Sequence, residues 1–286
     1  MNDTRTHDCL RLIHLSDLHF GDQTAGSAAA LKQAIRSLKP DLIVVTGDLT
    51  QRGRASELGS ARDYLDGLGA PWVATPGNHD LPRWPPWRRL VDPLQDFRRL
   101  VSPRPDARVD ADRMRLALID STNPAVWKAG RIQPEAAREA AAYLAGGRSG
   151  QLRVVATHHP FDDKPGDKMG GMHGAAEALK ILCHEGEVDL LLWGHRHRTE
   201  IGILYQEGLR CVVGSGTASP TSPRCEKKGE SFHALDLGEH AISIALWRRS
   251  PDTERFRRVG TRHFDRQKEN HWREVEPELE EEEEAV

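Results

Sequence analysis

Gly77-Asn78-His79-Asp80 follows the apolar run Trp72-Val73-Ala74 and is bracketed by Pro76 and Pro82. A short buried strand that ends in glycine and then presents three polar side chains has the form of a site at a strand's carboxyl end. Alone, the tetrapeptide reads as readily as an Asn-containing turn capped by Asp. Four other apolar runs close in the same manner. Leu12-Ile13-His14-Leu15 leads into Asp17-Leu18-His19, and Leu42-Ile43-Val44-Val45 into Gly47-Asp48. Val154-Val155-Ala156 leads into His158-His159, and Leu190-Leu191-Leu192 into Gly194-His195-Arg196-His197. Five strands therefore deliver Asp, Asn or His to one edge.

The segments between them say why those ends can meet. Residues 28–38 carry Leu31, Ile35 and Leu38 at helical spacing and stop at Pro40; residues 56–68 repeat the pattern with Leu58, Ala61, Leu65 and Leu68. Two β-α-β units in succession predict a parallel, helix-flanked sheet, and right-handed crossovers bring consecutive strand ends to one side. Helices are also expected over 90–101, 134–144 (Pro134 first) and 175–183. After residue 200, the runs at 203–205, 210–213, 233–237 and 242–247 read as antiparallel strands that would form a second sheet packed on the first. Residues 161–173, rich in Gly, Pro and charge, read as a mobile loop near the site.

The ordered series Asp17-x-His19, Gly47-Asp48, Gly77-Asn78-His79-Asp80, His158 and Gly194-His195-x-His197 resembles the calcineurin-like metallophosphoesterases. The Ser-Asp-Leu-His and Thr-His-His-Pro blocks are most similar to the branch holding class III cyclic-nucleotide phosphodiesterases and glycerophosphodiesterases. The resemblance implies a four-layer α-β-β-α sandwich of two mixed sheets flanked by helices, with the site at the strand carboxyl ends. It implies two transition metal ions, of Mn, Fe or Zn type. Asp48 would bridge them, Asp17, His19 and His197 would complete one site, and Asn78, His158 and His195 the other. Carboxylate, amide and imidazole donors suit such ions. Each residue also has an ordinary reading: an exposed histidine, a turn-capping aspartate, an asparagine in a left-handed turn. The implied reaction is hydrolysis of a phosphodiester by a metal-bridging hydroxide, with His79 as proton donor and Asp80 orienting its ring. His159, Arg196 and His173 are candidate substrate contacts, and His14, inside its strand, is expected to be structural.

Composition narrows the rest. The 286 residues are 38% hydrophobic and 29% charged, as in a globular chain with a real core. No apolar run approaches the roughly 18 residues of a membrane span. The first residues lack the apolar segment of a secretory signal, so a cytoplasmic protein is expected, and Cys9, Cys183, Cys211 and Cys225 are expected to be thiols. Eight Glu fall within residues 274–286; setting them apart from the net charge of −3 leaves a body of +5, suited to an anionic substrate. The expected organisation is a flexible 1–8, a catalytic domain over 9–265 and an acidic, disordered tail over 266–286.

A small-molecule phosphoester is the favoured substrate. A nuclease would need a long basic stripe; Arg83, Arg88, Arg89, Arg98 and Arg99 hint at one, diluted elsewhere by acidic residues. A monoesterase, a pyrophosphatase and a metal-binding scaffold are the rival readings, and the oligomeric state, a dimer included, stays open. Residues 82–89, with two tryptophans among arginines and prolines, read either as a substrate-facing cap or as a loop packed on the sheet.

Overall fold

The computed structural model describes residues 9–162, 170–205, 209, 212–217, 219–222, 229–267 and 271–275. The chain opens with β1 (Leu10–Leu15), α1 (Ser27–Leu38), β2 (Leu42–Thr46), α2 (Ala55–Asp66) and β3 (Trp72–Thr75). Two short helices follow, α3 (Arg88–Val91) and α4 (Gln95–Leu100), where one helix was expected. Pro93 lies in the gap, and a proline cannot donate into an α-helical ladder. Next come β4 (Arg108–Ala111), β5 (Met114–Leu118), β6 (Gly130–Arg131), α5 (Pro134–Ala145), β7 (Leu152–Ala156), β8 (Met172–His173), α6 (Ala175–His184) and β9 (Leu190–Trp193). The last elements among the described residues are β10 (Glu200–Leu204), β11 (Val212–Gly216), β12 (Ser231–Leu237), β13 (Ala241–Arg249), β14 (Phe256–Arg266) and β15 (Trp272–Val275).

Among the described residues, a seven-stranded sheet runs β15-β14-β13-β12-β1-β2-β3, a six-stranded sheet β10-β11-β9-β7-β5-β4, and β6 pairs with β8. β1, β2 and β3 are parallel, as are β5, β7, β9 and β11; both sheets are therefore mixed, with antiparallel strands added outside these cores. The strands beyond residue 200 do not form a sheet of their own. β10 and β11 extend the second sheet, whereas β12 to β15 return to pair with β1. Strand patterning reports how apolar a face is, not which neighbour it joins, so this partition lay outside it.

Strand alternation builds the layers. Ile13 and Leu15 point to the cluster beneath α1 and α2, while Leu12 on the same strand joins Val44, Leu116, Val154 and Leu192 between the sheets. Val155 faces the opposite way, into the cluster beneath α5 and α6. The result is helix, sheet, sheet, helix. Each such side chain contributes roughly 1.5–3 kcal/mol on burial.

Polar links cross the apolar seam as well. His14 on β1 lies 3.2 Å from Ser215 Oγ on β11 through Nδ1 and 2.9 Å from Thr46 Oγ1 through Nε2, and Ser215 Oγ is 2.9 Å from His233 Nδ1. His14 is thus structural. At the seam's other end, Trp272 Nε1 donates to Asp189 Oδ1 at 3.0 Å and Arg266 Nη2 lies 3.0 Å from Asp189 Oδ2. Trp272 is 2% exposed and packs in the inter-sheet cluster, so the boundary expected at 265 is corrected: the stretch to Val275 holds an ordered edge strand. Its four residues escape the acidic reading because Trp272 supplies a buried anchor. Residues 1–8, 276–286 and, in the expected loop, 163–169 lie outside the described residues.

Candidate metal centre

The parallel strands of both sheets end on the same side, and each stops in a sharp turn. Asp17 and His19 follow β1, Asp48 follows β2, Asn78 and His79 follow β3, His158 follows β7, and His195 and His197 follow β9. Among the described residues, eight non-glycines adopt left-handed backbone, and five of them are Asp17, His19, Asp48, His195 and His197. Such conformations cost on the order of 1–3 kcal/mol each and persist where surrounding structure enforces them. Glycine allows the turns to nest: a Cβ on Gly77 would overlie the Asp48 carboxylate, and one on Gly194 would overlie Ser16 Oγ.

Each carboxylate is fixed by one oxygen and aimed with the other. Asp17 Oδ2 accepts from His195 N at 3.1 Å, and Asp48 Oδ1 accepts from His79 N at 2.8 Å. Asp17 Oδ1, buried and with no sound hydrogen bond, lies 3.2 Å from His197 Nε2 and 3.9 Å from His19 Nε2. His19 Nε2 and His197 Nε2 are themselves 3.2 Å apart. A second group faces this one. Asn78 Oδ1 is 3.1 Å from both His158 Nε2 and His195 Nδ1, which are 3.3 Å from each other. Between the groups stands Asp48 Oδ2, 4.0 Å from His19 Nε2 and 3.4 Å from His158 Nε2.

These separations fit cations. Donors about 2.1 Å from one metal ion lie about 3 to 3.5 Å from each other. Lone pairs aimed at one another across such gaps, with Asp17 Oδ1 orphaned, make an arrangement that two positive ions would satisfy. Each group draws on both sheets: Asp17, His19, Asp48 and Asn78 come from the seven-stranded sheet, and His158, His195 and His197 from the six-stranded one.

The electrostatics follow. Burial opposes charge on Asp17, but the His197 ring holds its carboxyl at about 2. Burial likewise opposes charge on Asp48, which the His158 and His79 rings hold well below the usual carboxylate range. Burial would lower His158, yet the Asp48 carboxylate raises it to about 9; burial dominates at His19, which falls to about 4. The Nδ1–H of His158 donates to the Thr46 carbonyl at 2.7 Å, leaving Nε2 to face Asp48.

Other residues land differently. His79 is half-buried beside His19, with ring centroids 4.9 Å apart, and its Nδ1 lies 2.9 Å from the Gln51 carbonyl. Asp80 does not orient that ring. Its carboxylate accepts from the backbone N–H groups of Leu49, Thr50 and Gly77 and from Thr50 Oγ1, clamping the β2 turn to the β3 turn. Burial, with Asp48 nearby, pushes Asp80 up to about 7. His159 sits near His158 and His195 but faces inward: Nδ1 is 2.9 Å from Ser121 Oγ, and Nε2 is 2.9 Å from the Lys128 carbonyl. Arg196 is not poised for substrate either, being buried against Asp162 at 2.7 Å and Glu200 at 3.2 Å. His173 lines a concavity with Phe161, Asp162 and Tyr205, to which none of the seven donors contributes. The Thr46 and Gln51 carbonyls were beyond sequence reasoning, since any residue carries one.

The chain is 28% identical over 213 residues to a probable cyclic nucleotide phosphodiesterase of Synechococcus, covering 67% of this chain and 75% of that protein. Over 81 residues it is 38% identical to a glycerophosphodiester phosphodiesterase of Enterobacter lignolyticus, 24% of this chain and 29% of that one. Its fold superposes with a TM-score of 0.64 on a purple acid phosphatase from yellow lupin, at 15% identity, covering 87% of this chain and 53% of the other. Residues 10–199, which span all seven donors, match the sequence model of the calcineurin-like phosphoesterases, and the chain belongs to that family.

Proposed function

We propose that this metal-dependent phosphoester hydrolase acts on small-molecule phosphodiesters. In this reading, Asp17, His19 and His197 hold one cation, Asn78, His158 and His195 hold a second, and Asp48 is shared. The position of Asp48 Oδ2 between the two donor groups carries the proposal. Mn, Fe and Zn all suit these donors. When bound, such a pair supplies Lewis acidity to the phosphoryl oxygens and lowers the pKa of a water.

The chain's own groups do the remaining work. With Nδ1–H held by the Gln51 carbonyl, Nε2 is the His79 atom left to hand a proton to the departing alkoxide. Burial of the donors excludes water from the fixed carboxylates, so their charge acts in a low-dielectric site. Two features favour diesters. The two curated relatives described above carry diesterase names. A monoester also brings an extra negative charge, and Arg196, the cation inside a ligand motif, is already engaged by Asp162 and Glu200.

The test is a panel under one metal condition: a bis-aryl diester, an aryl monoester, cyclic nucleotides, glycerophosphodiesters and single-stranded DNA. Diesters are expected to be hydrolysed at least as fast as the monoester. A strong preference for the monoester would overturn the diesterase reading. Elemental analysis of the same protein is expected to find two metals per chain.

A further inference from the structure

Among the described residues, six of the eight large apolar side chains that the fold leaves in water gather in one place, Tyr205 and Val259 lying apart. Trp84, Trp87, Leu90 and Val91 are 82%, 61%, 70% and 75% exposed, and Val126 and Trp127 are 38% and 56% exposed. These six lie on two segments that are built against each other. Arg89, itself buried, donates to the Pro124 carbonyl at 3.0 Å and the Val126 carbonyl at 2.7 Å. Its guanidinium carbon lies 4.5 Å from the centre of the Trp127 ring, and that of Arg83 lies 5.8 Å away.

Both segments border the metal centre. The first leaves the β3 turn directly after His79 and Asp80, and the second is tied in through the Lys128 carbonyl, 2.9 Å from His159 Nε2. The patch is also cationic. Its two segments, residues 83–91 and 123–128, carry Arg83, Arg88, Arg89 and Lys128 and no acidic residue; of these Arg89 is buried and Arg88 is paired with Asp96 at 2.9 Å.

An apolar patch of this kind marks an interaction surface, and its charge decides among occupants. A second copy of the chain would lay this positive face against itself, since a two-fold contact pairs a patch with its own image. Nucleic acid would stack on tryptophan but gain nothing from Leu90, Val91 and Val126. An anionic bilayer meets both features. Tryptophan rings sit at headgroup level, aliphatic side chains reach the acyl boundary, and arginine and lysine meet lipid phosphates. We infer that this face docks on an anionic lipid surface, holding the metal centre at the plane of the headgroups. Docking of this kind needs no spanning segment, and no helix among the described residues is long and apolar enough to cross a membrane.

The experiment is co-sedimentation of the full chain with vesicles of phosphatidylcholine alone and of phosphatidylcholine mixed with phosphatidylglycerol, over a salt series. The mixed vesicles should bind at least about tenfold better, with affinity falling as salt rises. The double variant Trp87→Ser/Leu90→Ser and, separately, Arg83→Glu should each lower binding about tenfold. Both should hydrolyse a soluble bis-aryl diester at the parental rate, which reports an intact fold. Equal binding by parent and variants, or no binding to mixed vesicles, overturns the inference. So does a double variant that loses a dimer or single-stranded DNA binding while its vesicle binding is unchanged. Vesicle binding is read without catalysis, so it stands or falls separately from the diesterase reading.

Discussion

At the scale of single residues, the shared position of Asp48 makes the sharpest prediction. Asp48→Ala removes a donor from both groups and should cost several kcal/mol of transition-state stabilisation, about a thousandfold in rate, with metal content below one per chain. Asn78→Ala removes a donor from one group and should cost less. Rates at saturating metal compare the two; an Asp48 variant no worse than the Asn78 variant would refute the sharing. His79→Ala should lose about 10²–10⁴-fold on alkyl leaving groups and much less on nitrophenyl ones, since an activated phenolate needs little protonation. Protonation also gives the metal-free chain a distinctive pH profile. His158, at about 9 against an ordinary 6.5, contributes stability that is complete below pH 6.5 and lost as pH rises through 9. His19, at about 4, and Asp17, at about 2 against 3.8, contribute stability that is lost as pH falls, through 6.5 to 4 and through 3.8 to 2. Asp80, at about 7 against 3.8, works the other way, its contribution being lost as pH rises from 3.8 to 7. The thermal midpoint of chelated protein should therefore fall as pH rises from 6.5 through 9; a midpoint still climbing toward pH 9 would contradict the His158–Asp48 pairing.

At the scale of elements, what the sequence made legible was each strand end. Apolar runs, their polar termini and the helices between them announced where Asp17, Asp48, Asn78, His158 and His195 would gather, because parallel crossovers leave few alternatives. What it did not announce was what each side chain faces. Asp80, His159 and Arg196 occupy the same motifs as the donors, yet they hold turns together, since only tertiary packing decides which polar group of a motif points inward. The β3 turn shows the cost of that work. Asp80→Ala leaves three backbone N–H groups without their acceptor, while the Thr50 hydroxyl keeps the His79 carbonyl at 3.0 Å. At about 1–3 kcal/mol for a buried unsatisfied group, a loss of at least about 2 kcal/mol is expected in urea titrations. Asp80→Asn should recover part of it, because an amide oxygen still accepts. Gly77→Ala strikes the same turn differently: the added methyl would overlap both the carboxylate and the backbone N of Asp48, so metal affinity and the urea midpoint should fall together.

At the scale of the whole molecule, the partition of strands between sheets was the least legible feature, and it carries a stability prediction. β15 lay within the acidic stretch, but Trp272 is buried in the inter-sheet core and donates to Asp189. Trp272→Ala should cost about 3–5 kcal/mol, read from the urea midpoint; an unchanged midpoint would return residues 272–275 to the tail. The division of the seven donors between the two sheets has a mechanical meaning as well. Cations held there would act as rivets through two plates, and their binding free energy would add to the adhesion of the plates. At a hundredfold excess over Kd, this is about 2.7 kcal/mol for each ion. The coupling runs in both directions. Ser215, whose partners are His14 and His233, touches none of the donors, yet Ser215→Ala loosens the joint and should weaken metal affinity along with the unfolding midpoint. Unchanged affinity in that variant would mean that the plates are held in register without the rivets.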